Sequence, residues 1–209
     1  MKGSLSEPEG AVMMDNRPIQ EVLVGRPTLY LIDEYHHDDL STDANIKWVS
    51  SWIDPGEALI GVEGFSGGED YHPLLALHKD SERPVGLERQ IGGYPRFAHA
   101  LSEKGYRVEG VDSESIQEDI LENPMDSAES LSRDPRHESR SKHFVETLLI
   151  RANELQEFGD LVLNCGAEHN DDVEKFIYAK SVPDLANYNV RRVTSKEFRS
   201  RVGPHSATP

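Results

Sequence analysis

A chain of 209 residues with 38 acidic against 22 basic side chains carries a formal net charge of −16, which repels phosphate backbones and anionic lipid surfaces, so no nucleic acid and no membrane partner is expected. The length suits one sizeable α/β domain better than two. No window approaches the roughly 18 consecutive apolar residues of a membrane span, the start has no apolar run of signal-peptide length, and the expected location is cytoplasmic.

Residues 1–25 mix Gly, Ser, Pro, Glu and Met without periodicity and read as a flexible N-terminal arm, in which residues 19–24 could form a short edge strand. The first strong signal is the apolar run Leu29, Tyr30, Leu31, Ile32, which passes directly into Asp33, Glu34, His36, His37, Asp38 and Asp39. A short continuous apolar run is the pattern of a strand buried on both faces, and in open α/β sheets chemistry gathers beyond the carboxyl ends of such strands. Ser41, Thr42 or Asp43 can cap a helix to about Ile53, with Ile46, Val49 and Ile53 on one face and Asp54-Pro55-Gly56 as its stop. Residues 58–62 form a second buried strand that delivers Glu63 into a Gly-rich turn, 64–68, which lacks the Lys of a phosphate-binding loop. His72 and His78 lie in a short apolar segment, where a lone His is more often a satisfied or exposed side chain than a ligand. A helix over 94–104, closed by Gly105, and a third strand over 106–111 bring the chain to Asp112.

Residues 102–139 hold eleven acidic and four basic side chains, and around 122–139 there is almost nothing to bury, so a mobile acidic loop is expected there. Ser139 or Ser141 opens the longest helix, to about Phe158, with Phe144, Leu148, Leu155 and Phe158 as a core stripe. Arg140 in its first turn opposes the helix dipole unless carboxylates gather around it. A fourth strand, 160–164, runs into Cys165, Gly166, Glu168 and His169; Pro183 starts a short helix, and 188–193 alternates like a last strand. The basic stretch 191–201 reads as a solvated face, and 201–209 as a C-terminal tail. The expected fold is therefore a single α/β domain over 26–200, with a mainly parallel central sheet and helices on both faces.

In a parallel sheet the carboxyl ends share one edge, so Glu34, His37, Glu63, Asp112, Arg140 and His169 form the candidate catalytic set. His or Glu can take a proton from water, a second carboxylate can orient that His, and Arg140 can stabilise an oxyanion. His36, His37, Glu63 and His169 are the alternative, a ligand set for a divalent metal such as Mn, Co or Zn. The single cysteine, Cys165, excludes an internal disulfide and reads as a small core residue, because a nucleophilic thiolate needs an electropositive setting.

The ordered set Glu34-x-x-His37, Glu63, Asp112, Arg140 and Gly166-x-x-His169 resembles the superfamily that joins erythromycin esterase-like proteins, TraB/Tiki proteins and ChaN-like haem-binding lipoproteins, over about residues 28–172. In this sequence Asp33 stands where that superfamily has Gly, and the His36-His37 doublet fits both its Glu-x-x-His and its Glu-x-His spacings. The resemblance implies an α/β sandwich with Glu34, His37, Glu63, Arg140 and His169 as the active-site set and Asp112 beside it. It implies a hydrolase acting on an ester or amide bond of a small-molecule or peptide substrate. Its alternative is a non-catalytic ligand- or haem-binding or regulatory module on the same fold. The oligomeric state stays open, a homodimer included.

Overall fold

The computed structural model describes residues 14–35, 38–66, 94–113, 115–116, 119 and 135–195. In chain order these form β1 (Met14–Pro18), β2 (Thr28–Glu34), α1 (Asp39–Trp52), β3 (Ala58–Ser66), α2 (Tyr94–Glu103), β4 (Arg107–Asp112), α3 (Pro135–Leu155), β5 (Asp160–Gly166), α4 (Ala167–Ala179), a 3-10 turn (Pro183–Asn187) and β6 (Asn189–Ser195). The strands make one sheet in the order β1-β6-β2-β5-β3-β4. β1 runs antiparallel to β6, and every other neighbouring pair is parallel.

Side chains alternate across a strand, and here both sets are apolar, so each face of the sheet takes a helical layer. Leu29, Leu31, Leu161 and Leu163 pack with Phe144, Val145 and Leu148 of α3 and Val173 and Phe176 of α4. Ile32, Ile60, Val62 and Val162 pack with Trp48, Val49 and Ile53 of α1 and Phe97, Ala98 and Leu101 of α2. This division follows from right-handed crossovers: β2 to β3 to β4 moves outward along the sheet, β4 to β5 to β6 moves back, and reversing direction moves the helices to the other face. The expected mainly parallel sheet with helices on both faces is the architecture observed.

The strand order has a consequence for the edge. Across β2, β5, β3 and β4 the helix that follows each strand lies alternately on one face and the other, so neighbouring chains diverge as they leave the sheet. Such divergence is what opens a crevice at the carboxyl edge of an open sheet.

Close packing appears at Gly61, on the side of β3 that faces α3. A Cβ there would sit 2.7 Å from Val111 Cγ1 and 3.1 Å from Leu148 Cδ1. Gly61→Ala is expected to cost about 1–3 kcal/mol by overpacking, read from the urea midpoint; an unchanged midpoint would mean that α3 yields without cost.

Several boundaries depart from the sequence reading. α3 begins at Pro135 instead of Ser139 or Ser141, because Pro fits the first helical turn and Glu138 there suits the dipole. The stretch expected as a loop to 139 is thus helical from 135, and residues 120–134 lie outside the described residues. α4 was not anticipated: its buried face includes His169, Asn170 and Asp172, and these polar side chains interrupt the apolar period that would have marked it. Within the presumed arm, 14–18 forms an edge strand, whereas 19–24 does not. β3 continues through Glu63 to Ser66, taking up part of the expected turn. His72, His78 and the tail 201–209 lie outside the described residues. Among the described residues no helix is long and apolar enough to cross a membrane.

Candidate active site

Three strand ends deliver buried carboxylates to the same edge: Glu34 from β2, Glu63 from β3 and Asp112 from β4, exposed by 1–2 %. Two of them also tie neighbouring strands together. Glu63 Oε2 accepts the Gly166 N–H at 2.7 Å, and Asp112 Oδ2 accepts the Gly64 N–H at 3.1 Å. Glu34 lies opposite Gly166 in the parallel register of β2 and β5.

Arg140, in the second turn of α3, reaches into this edge. Its Nε donates to Asp112 Oδ1 at 2.9 Å and its Nη2 to Asp112 Oδ2, a fork-to-fork pair, while Nη2 lies 3.0 Å from Glu63 Oε1. Nη1 approaches His169 Nε2 at 3.4 Å. The expectation that Arg140 needs a nearby carboxylate is met by two of them. His169 enters from the first turn of α4, with Nε2 3.4 Å from Glu63 Oε1. Glu63, Asp112, Arg140 and His169 therefore converge. Glu34 is at the same edge but faces α1, and His36 and His37 lie outside the described residues.

The contacts of Ser141 favour a neutral His169 protonated at Nδ1. Ser141 Oγ contacts His169 Nδ1 at 2.7 Å, the His137 carbonyl at 2.9 Å and Asp172 Oδ2 at 2.9 Å. The last two groups only accept, so the hydroxyl donates to one of them and receives the proton of His169 Nδ1. Nε2 then presents its lone pair to Arg140. Burial acts to raise the Asp172 carboxyl, but hydrogen bonds from His137, Lys175 and Ser141 outweigh it and hold it at about 2. Ser141, His137 and Asp172 were not in the sequence-derived set; Ser141 and His137 on α3 lie 28–35 residues before their partners His169 and Asp172, which only the unanticipated α4 brings to them.

His137, His169 and Asp172 could hold a divalent metal, each with a ligand atom within 4.8 Å of the others. This is a different set from His36, His37, Glu63 and His169, of which only Glu63 and His169 are described. The two rings, however, stack at 3.9 Å between centroids with 5° between planes. An imidazole lone pair lies in its ring plane, and two parallel stacked planes share no point. One ring would have to turn before both nitrogens could bind one ion.

On the α1 face, Glu34 Oε1 accepts from Thr42 Oγ1 at 2.7 Å, and Oε2 accepts from Asn45 Nδ2 at 3.1 Å and Asn164 Nδ2 at 3.4 Å. Burial pushes its carboxyl up; the hydrogen bonds from Thr42, Asn164 and Asn45 only partly oppose this, and Glu63 adds to the rise. A carboxyl raised in the folded state loses stability for the fold as pH climbs above its unfolded value of about 4.3. In buffer without metal ions, Glu34→Gln is therefore expected to be more stable than the wild type at pH 7, with the difference vanishing below about pH 4. Equal melting temperatures across that range would contradict the assignment.

Two further sequence readings are settled by burial. Cys165 is fully buried, its thiol donates to Asn170 Oδ1 at 3.1 Å, and burial together with Glu63 and Asp33 pushes its ionisation well up, in keeping with a core residue. The basic stretch 191–201 is not uniformly a solvated face: Arg192 is 7 % exposed, with Nε bonded to Asp33 at 2.9 and 3.0 Å and Nη1 2.8 Å from Glu174. Asp33 is thus half of a buried ion pair.

No protein-family model matches the chain, and neither a curated protein nor a solved structure does.

Proposed function

We propose that this chain is a hydrolase acting on an ester or amide bond of a small molecule or peptide. The observation that carries the reading is Arg140, locked by Asp112 and Glu63 beside His169 at the diverging carboxyl edge of the sheet. Preorganised donors that need no reorganisation are the main source of transition-state stabilisation in acyl transfer. The Arg140 side chain keeps 18 % of its surface exposed, so a substrate oxygen can reach it.

His169 Nε2 already accepts from Arg140 and so serves to steady the guanidinium. The proton of the attacking water is assigned to His37, which follows Glu34 by three residues. The resemblance to erythromycin esterase-like proteins supports the same class of reaction. Activity is then expected to rise with pH through one histidine, near ~6.5, and to survive chelator. The test is a panel of chromogenic esters and amides with wild type and His37→Ala. Turnover that persists in chelator and is lost in the variant supports the reading. Turnover abolished by chelator and restored by Mn, Co or Zn would replace it with metal-activated water, and ligand binding without turnover would replace it with a binding module.

A further inference from the structure

Six carboxylates among the described residues are buried: Asp33, Glu34, Glu63, Glu109, Asp112 and Asp172. Five of them have a cationic side chain within ion-pair distance. Asp33 has Arg192, Glu63 and Asp112 share Arg140, Glu109 has Arg107 and Arg151, and Asp172 has Lys175. Glu34 has hydroxyl and amide partners alone among the described residues.

A second, independent observation falls at the same place. Among the described residues, the buried side-chain polar atoms without a partner are Ser41 Oγ, Asn45 Oδ1 and Asn164 Oδ1. Asn45 and Asn164 are the two amides that face Glu34, and Ser41 adjoins Thr42, which also bonds it. Buried oxygens left unpaired are costly, and two of them belong to the amides that contact the one buried carboxylate without a cation at ion-pair distance among the described residues, which calls for something positive.

We propose that Glu34, Asn45 and Asn164 bind a single alkali cation, Na⁺, on the α1 face of the sheet edge. The donors are all oxygens, which suit a hard cation, and a single carboxylate among neutral donors is balanced by a single positive charge. Size agrees as well. Asn164 Nδ2 makes only a 3.4 Å bond to Glu34 Oε2, so its amide can rotate to place Oδ1 there. Two oxygens about 3.4 Å apart subtend a right angle at a cation with ligand distances of roughly 2.4 Å, the range of Ca²⁺, which Na⁺ matches in radius. Asn45 Nδ2 is held by the Asp33 carbonyl at 3.0 Å, leaving its own Oδ1 as a further ligand. The site is separate from Arg140 and does not depend on turnover.

The experiment compares thermal unfolding in NaCl, KCl and choline chloride at equal ionic strength, for wild type, Glu34→Gln and Asn164→Ala. Choline screens charge as Na⁺ does but is too large for the site. Wild type is expected to melt about 2–4 °C higher in NaCl than in choline chloride, with a smaller response in Asn164→Ala and none in Glu34→Gln. Equal melting points of the wild type in NaCl and choline chloride would overturn the site, leaving a buried water as the partner of the amides. A response undiminished in Glu34→Gln would move the cation elsewhere, and a KCl response exceeding that of NaCl would overturn the choice of ion.

Discussion

Arg140→Ala is expected to lower the unfolding free energy by about 3–5 kcal/mol, because it takes the guanidinium from two carboxylates that are almost wholly removed from water. Asp112 loses both arms of its fork, and Glu63 loses its guanidinium contact while keeping the Gly166 N–H. The double replacement Arg140→Met with Asp112→Asn is expected to recover part of the loss, since removing charges on both sides avoids the uncompensated state. Urea denaturation of the two variants reads both effects. A single variant as stable as the wild type would show that water reaches Glu63 and Asp112 freely.

Arg192→Ala is the second large effect, also about 3–5 kcal/mol. Arg192 joins β6 to β2 through Asp33, and to α4 through Asp171, Glu174 and the Ala167 carbonyl, which its Nη2 meets at 3.0 Å. Burial already pushes the Asp33 carboxyl up against the pull of Arg192, Thr194 and Asn170, so losing the guanidinium removes the largest opposing influence. The variant should therefore be least stable at neutral pH and recover relative to the wild type in acid, where Asp33 takes up a proton. A penalty independent of pH would place the loss in packing and not in the buried charge.

The parallel sheet was legible because β2 and β3 are short apolar runs that stop abruptly at an acidic residue: Ile32 before Asp33 and Val62 before Glu63. Burial on both faces writes that pattern directly into the sequence. The convergence of Glu63, Asp112, Arg140 and His169 followed, since parallel strands share their carboxyl edge. Which residues pair was not legible. Asp33 and Arg192 are separated by 159 positions, and nothing local marks Arg192 apart from its neighbour Arg191. α4 escaped for a related reason: its core-facing positions hold His169, Asn170 and Asp172, which earn their burial through tertiary hydrogen bonds. Alternation along β2 also separates Asp33 from Glu34, sending one to Arg192 on the α4 side and the other to Asn45 on the α1 side. The candidate site is consequently two polar centres back to back across the sheet edge, where the sequence suggested one.

The central claim is that Arg140 stabilises the developing oxyanion, and kcat of Arg140→Lys on the best ester substrate tests it most directly. Lysine keeps the charge but loses the planar fork that Asp112 and Glu63 hold in place. The account predicts a folded variant whose kcat falls by about 10²-fold or more while KM changes little, since the interaction is made in the transition state. An unchanged kcat in a folded Arg140→Lys variant would contradict it.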